Sequence, residues 1–218
     1  MTYRFPDRAA AGRLLAGQLR RYAHRQDVLV LALPRGGVPV ALEVARRLAA
    51  PLDLVMVRKI GAPGHEELAA GAVVDGPTPE LVLNPDVVRA YGIDQGYLER
   101  EQERQLAEIA RRRAAYLGNR PRAVVAGHSA IVIDDGIATG ATMRAALRAV
   151  RRAGPKATVL AVPVADAGIL ARLEHEADRV VCLHTPSDLV AVGQYYRDFR
   201  QLEDAEVVAM LSSADAQP

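Results

Sequence analysis

The chain has no tryptophan, a single cysteine, two phenylalanines, and only two lysines among its 28 basic residues. Each scarcity excludes something. The lone thiol, Cys182, cannot close an internal disulfide, which rules out a disulfide-stapled scaffold and suits a reducing compartment. It lies in the apolar run Val180-Val181-Cys182-Leu183 and reads as a small core residue rather than a nucleophile. No apolar run approaches the roughly 20 residues that span a bilayer. The opening stretch Met1-Thr2-Tyr3-Arg4-Phe5-Pro6-Asp7 lacks the apolar centre of a signal peptide. The expected location is therefore cytoplasmic, with no membrane partner. A net charge of +2 gives no field for gathering nucleic acid, and none is expected as a partner. With lysine confined to Lys59 and Lys156, Lys59 draws attention as a placed cation.

What is present is an ordinary globular composition, 50% apolar over 218 residues, enough for one α/β domain with a full core. Residues 7–22 carry Ala9, Leu14, Leu15 and Leu19 at helical spacing. Val28 to Ala32 is a continuous apolar run stopped by Pro34, the pattern of a strand buried on both faces. A helix is predicted over 38–49 and a strand over 52–57. The alternation resumes with a strand at 130–133 and a helix from about Thr142 to Arg152, stopped by Gly154-Pro155. Strands at 157–164 and 179–183 follow, with a helix over 167–174 between them. This order predicts a doubly wound, mainly parallel sheet with helices on both faces. Residues 61–128 interrupt it with turn residues (Gly61, Pro63, Gly64, Gly76, Pro77, Pro79), apolar pieces at 68–74 and 81–83, and a long charged helix over 94–117. On that helix Glu108 and Arg112 stand one turn apart, the spacing of a supporting pair. No repeat, low-complexity tract or linker divides residues 1–218, so a single domain is expected.

The chemistry concentrates where the 130–133 strand turns into a helix, the edge at which α/β sheets gather ligands. Two adjacent carboxylates, Asp134 and Asp135, end an apolar strand, where desolvation is costly without partners. Their side chains should leave an extended backbone on opposite sides and serve different ends. Gly136 and Gly140 permit tight backbone turns, and Thr139 and Thr142 offer hydroxyls. Such a loop aims N–H groups and the positive end of a helix at one spot, which suits a phosphate. Adjacent carboxylates suit sugar hydroxyls or waters on Mg²⁺. A P-loop is excluded because position 141 is alanine rather than lysine, and the dinucleotide fingerprint because position 138 is alanine rather than glycine.

The run from Ile131 to Thr142, with Asp134-Asp135-Gly136-Ile137-Ala138-Thr139-Gly140-Ala141-Thr142 at its heart, resembles the phosphoribosyl pyrophosphate (PRPP) motif of the type I phosphoribosyltransferases. Leu33-Pro34-Arg35-Gly36-Gly37 resembles that family's pyrophosphate loop, and Arg58-Lys59 its basic pair at the end of the next strand. The insertion from Gly61 to His128, opening Gly61-Ala62-Pro63-Gly64-His65-Glu66-Glu67, stands where the family has a flexible catalytic loop. Residues 184–200, through Pro186 to Gly193, resemble its small hood.

The resemblance implies Mg²⁺-dependent transfer of a 5-phosphoribosyl group from PRPP to a nitrogen acceptor, releasing pyrophosphate. It assigns the 5′-phosphate to Ala138, Thr139, Gly140, Ala141 and Thr142, and the ribose hydroxyls to Asp134 and Asp135. Pyrophosphate falls to Arg35, Gly36, Gly37, Arg58 and Lys59. Arg35, Lys59, Asp134 and Asp135 become the catalytic set. Mg²⁺ would be held mainly by PRPP and water, with Asp134 and Asp135 as candidate protein ligands. The acceptor would meet Leu189, Val190 and Ala191, with Glu66, Glu67 or His65 as candidate proton acceptors. Alanine at 138 replaces the aspartate usual in members that act on 6-oxopurines, and follows the adenine phosphoribosyltransferase pattern. A homodimer is a further expectation from the resemblance. The alternative is a PRPP-sensing regulator with this fold and no catalysis; Arg35, Lys59 and the insertion favour the enzyme.

Overall fold

A computed structural model describes residues 4–76 and 79–215; Pro77, read above as a turn residue, lies outside them. The first helix, α1 (Arg8–Gln18), starts where the Asp7 carboxylate accepts the Ala10 N–H at 2.6 Å. Then come β1 (Val28–Ala32), α2 (Gly37–Leu48) and β2 (Leu52–Leu54). A second set follows: β3 (Val57–Ala62), β4 (His65–Val74), β5 (Glu80–Leu83), α3 (Pro85–Ala90) and α4 (Gln95–Leu117). The chain returns with β6 (Ser129–Ile133), α5 (Ala141–Arg152), β7 (Ala157–Val164), α6 (Ala167–Leu173), β8 (Arg179–His184) and α7 (Asp204–Asp215).

The main sheet is five-stranded and wholly parallel in the order β2-β1-β6-β7-β8. From β1 the chain winds outward to β2 through α2, and from β6 the opposite way to β7 through α5. The reversal falls between β1 and β6, which pair over Val28–Ala32 and Ser129–Ile133. Alternate residues of β1 feed opposite apolar layers. Val28, Val30 and Ala32 join α1, α2 and α7, while Leu29 and Leu31 join α5 and α6. Burial of each such side chain contributes roughly 1.5–3 kcal/mol.

The strand expected over 52–57 is two strands in different sheets. Only Leu52–Leu54 pairs with β1. Asp75 then captures the chain: its carboxylate accepts the Met56 N–H at 2.8 Å, and its own N–H donates to Met56 O at 3.0 Å. That turns residues 57–62 out of the parallel sheet into an antiparallel one, ordered β3-β4-β5. Periodicity could not show this break, because the apolar run continues across it and Asp75 lies 19 residues away.

The insertion is accordingly more regular than the loop expected of it. Pro63-Gly64 forms the β3–β4 turn with Gly64 at φ +72°, and the ladder shifts register around Gly61. Tyr97 of α4 donates to Gly61 O at 2.9 Å and pins the hairpin near its tip. One face of α4 is buried through Leu98, Ile109, Tyr116 and Leu117, and also through Arg113. Arg113 donates to both Asp53 oxygens, at 2.8 and 3.0 Å, and to Leu54 O at 3.2 Å. The supporting pair is present too: Arg112 Nε donates to Glu108 at 2.6 Å. Among the described residues, no helix is long and apolar enough to cross a membrane.

Candidate functional site

Two loops meet beyond the carboxyl ends of β1 and β6, at the point where the winding reverses. Residues 34–37 leave β1 and residues 134–140 leave β6, tied by the Leu33 N–H donating to Ile133 O at 2.9 Å. The first loop lies directly on the second. A Cβ on Gly36 would stand 2.1 Å from Asp135 Oδ2, and one on Gly37 would stand 2.7 Å from Ile133 O. No other residue type permits that approach. The Pro34–Arg35 peptide is cis.

Asp134 and Asp135 do have different surroundings. The Asp135 N–H donates to Asp134 Oδ1 at 2.8 Å. Asp135 Oδ2 accepts from Arg8 Nε at 2.7 Å, with the two side chains 13% and 11% exposed. Burial, then the neighbouring Asp135 charge, pushes the Asp134 carboxyl well above the usual carboxylate range. Burial also raises Asp135, with Arg8 opposing it. Both groups thus sit where a cation or a hydroxyl donor would be welcome.

The rest of the loop is pinned from behind. The Ile137 N–H donates to Val164 O at 2.9 Å, and Asp166 N–H donates to Ile137 O at 3.1 Å. Gly136 packs against Val164 and Val192, and Gly140, at φ +77°, against Ile169. Gly140 is the N-cap of α5 and no side chain caps that helix, so its first amides face the loop without an internal partner. Ala138 and Thr142 are half-buried beside them, and Thr139 is exposed.

The cations divide. Lys59 is exposed and lines a small cavity together with Ala141, Thr142 and Arg144, which places the residue beside the start of α5. Arg58, its neighbour on β3, leaves the strand on the other side and donates to Gln105 Oε1 of α4 at 3.1 Å. Burial and the charge of Arg112 lower its pKa. Arg35 reaches Asp204 at the start of α7, 3.3 Å away, and Tyr116 of α4 donates to the same Asp204 oxygen at 2.6 Å. The expected basic pair is therefore split between two faces of the hairpin, with Lys59 on the loop side.

The hood segment packs against the N-terminal segment. Phe5 N–H donates to Tyr195 O at 2.8 Å, and Arg197 N–H donates to Phe5 O at 2.8 Å. Tyr195 and Tyr196 are buried, and Tyr196 donates to Asp135 O at 2.6 Å. Leu189 is half-buried against this cluster, Ala191 is exposed, and Val190 is 81% exposed. His65 meets Tyr91 edge-on at 5.4 Å and Glu66 is exposed; the Glu67 side chain lies outside the described residues. Cys182 is half-buried, and burial pushes its thiol up, away from nucleophilic use.

No local pattern in the sequence marks Arg8, Asp204 or Tyr196 as parts of the site. The one local cue at Arg8 is the Asp7 cap, which places it in the first turn of α1 without saying what it faces. Among the described residues no three His, Cys, Asp or Glu side chains cluster as a metal site. The donor set is two carboxylates, one already engaged by Arg8, which fits an ion that arrives with most of its oxygen ligands.

Comparison with known proteins agrees with this architecture. Residues 3–200 match the family model described as phosphoribosyl transferase domain. A Mycobacterium tuberculosis protein named "Putative phosphoribosyl transferase" is 48% identical over 210 residues, 96% of this chain. The chain spans about half the length of the curated relatives it matches, 47% in each. The crystal structure of the TT1426 protein of Thermus thermophilus aligns with TM-score 0.81 and 49% identity, covering 96% of this chain and 98% of that one. The AQ2163 protein of Aquifex aeolicus shares the fold at TM-score 0.53 and 12% identity, covering 85% of this chain and 78% of that one.

Proposed function

Because the chain belongs to the phosphoribosyl transferase domain family, we propose that it transfers a 5-phosphoribosyl group from PRPP to a nitrogen acceptor and releases pyrophosphate. The observation that carries this reading is the seating of Gly36 and Gly37 on Asp135 and Asp134. It puts a loop fit for pyrophosphate against a pair of carboxylates fit for ribose, beside the uncapped start of a helix fit for phosphate.

Roles follow from charge. The amides at Gly140, Ala141 and Thr142, with the Thr139 and Thr142 hydroxyls, bind the 5′-phosphate, helped by the positive end of α5. Asp134 and Asp135 accept hydrogen bonds from the ribose hydroxyls. As the bond from C1′ to pyrophosphate breaks, positive charge grows on the ring, and the fixed carboxylates stabilise it. The Gly36 and Gly37 backbone and Arg35 meet the departing pyrophosphate, and Lys59 approaches from the hairpin. Asp134 and Asp135 are the residues that would hold Mg²⁺, which when bound supplies further charge neutralisation on the pyrophosphate.

Ala138 offers no carboxylate to the base, which disfavours 6-oxopurines. The hood tyrosines are buried, so the acceptor is recognised without them as a stacking surface. We therefore place the acceptor among adenine-like bases and simpler amines. The test is pyrophosphate release from PRPP and Mg²⁺ with a panel of bases and amines. Turnover with one acceptor class, lost in Asp135→Asn, is the expected result. PRPP binding with no release on any acceptor would overturn catalysis in favour of sensing, and no PRPP binding would overturn both.

A further inference from the structure

The acidic pair is held by a circuit that closes through two distant parts of the chain. Arg8 Nε donates to Asp135 Oδ2 at 2.7 Å, and Arg8 Nη1 donates to Arg200 O at 3.0 Å. The Arg8 guanidinium lies 3.8 Å from the centre of the Phe199 ring. Phe199 in turn meets Tyr196 at 5.0 Å between centroids, tilted by 31°. Tyr196 completes the circuit by donating to Asp135 O at 2.6 Å. Asp135 is thus gripped at its carboxylate and at its backbone by residues 127 and 61 positions away.

The grip is selective. Oδ2 is taken by Arg8 and lies over Gly36, and the same carboxyl neighbours that of Asp134. A planar guanidinium stacked on a ring and tied to a carbonyl has little freedom left, so the carboxylate it holds keeps one orientation. A lysine could supply the charge but neither the stack nor the fixed direction.

We infer that Arg8 is a positioning residue: through its ion pair with Asp135 and its stack on Phe199 it fixes that carboxylate for the ribose hydroxyls of PRPP. This rests on the PRPP reading above. It makes the start of α1 and the hood working parts of the sugar site rather than mere cover. In this role Arg8 acts through Asp135.

A double-mutant cycle on PRPP affinity tests it. Binding of PRPP with Mg²⁺ is measured by calorimetry for the unaltered protein, Arg8→Gln, Asp135→Asn and the double variant, with thermal unfolding of each as a check on folding. Arg8→Gln is expected to weaken PRPP binding at least tenfold, and to add less than twofold in the Asp135→Asn background. In turnover assays the KM for PRPP should rise while the KM for the acceptor stays. Arg8→Lys should recover only part of the loss. Equal PRPP affinity in Arg8→Gln and the unaltered protein would overturn the inference, as would a full tenfold loss on top of Asp135→Asn. If Arg8→Gln does not fold, Arg8→Lys and Phe199→Leu decide: unaltered affinity in both overturns the inference, and a severalfold loss in both supports it. Failure of the unaltered protein to bind PRPP sinks the functional reading instead, a distinguishable outcome.

Discussion

At Gly36 the distance from a would-be Cβ to Asp135 Oδ2 is 2.1 Å, well inside any tolerable contact. The neighbour is a carboxylate already held by Arg8, so it cannot swing aside without breaking that pair. Gly36→Ala should therefore lower PRPP affinity at least tenfold while leaving most of the fold intact, checked by calorimetry and circular dichroism. Tyr116 carries a second prediction at this scale. Burial first, then its hydrogen bond to Asp204, pushes its pKa up to about 12. The folded state holds this proton more tightly than the unfolded chain does, whose tyrosine titrates near 10. The stabilisation is complete below pH ~10 and is lost as pH rises towards about 12. Denaturant unfolding at pH 9 and pH 11.5 (roughly either side of that unfolded value) should show a smaller alkaline loss in Tyr116→Phe than in the unaltered protein. Burial raises Tyr196 too, so part of the loss should remain in the variant.

Among elements, α4 and α5 both bridge the two sheets, α4 through a buried ion pair. Arg113 of α4 is 8% exposed and meets Asp53 of β2, itself 3% exposed, and lies 3.6 Å from Asp75. Removing one member of a buried pair leaves an uncompensated charge, which costs about 3–5 kcal/mol. Arg113→Met should lose that much in urea unfolding at neutral pH, and Arg113→Met combined with Asp53→Asn should regain part of it. If the single variant lost under about 1 kcal/mol, the range found for exposed pairs, the pair would be no more than a surface contact. The same element scale holds the departure from the expected strand over 52–57. Val55 and Met56 are buried and apolar, so nothing local marks a boundary. Asp75 sets it by satisfying the Met56 backbone from another strand.

For the molecule as a whole, the candidate site draws on the loops after β1 and β6, the hairpin that carries Lys59, the start of α1 and the segment from Tyr196 to Asp204. A ligand that bridges them binds the folded state alone and stabilises it by mass action. PRPP with Mg²⁺ at a hundredfold over its dissociation constant should add about 2.7 kcal/mol, a rise in Tm of roughly 5–10 °C for a chain of this size. Differential scanning calorimetry would read it, and the rise should shrink sharply in Asp135→Asn. No rise under those conditions would count against the assembled PRPP site.

The sequence alone determined the parallel architecture and the loop from Asp134 to Thr142. Both are local: a run such as Val28 to Ala32 must be buried on two faces, and an acidic pair followed by Gly140 and Thr142 is legible within one short stretch of chain. It also located Arg35, Gly36, Gly37 and Lys59 as candidates. It could not say which of Arg58 and Lys59 faces the loops, because that depends on which sheet residues 57–62 join. Nor could it find Arg8, since an ion pair across 127 positions leaves no periodicity. The tertiary structure decided those questions for one physical reason. Buried charges such as Asp53, Asp75 and Asp135 need partners, and the partners came from whichever elements the fold brought within reach.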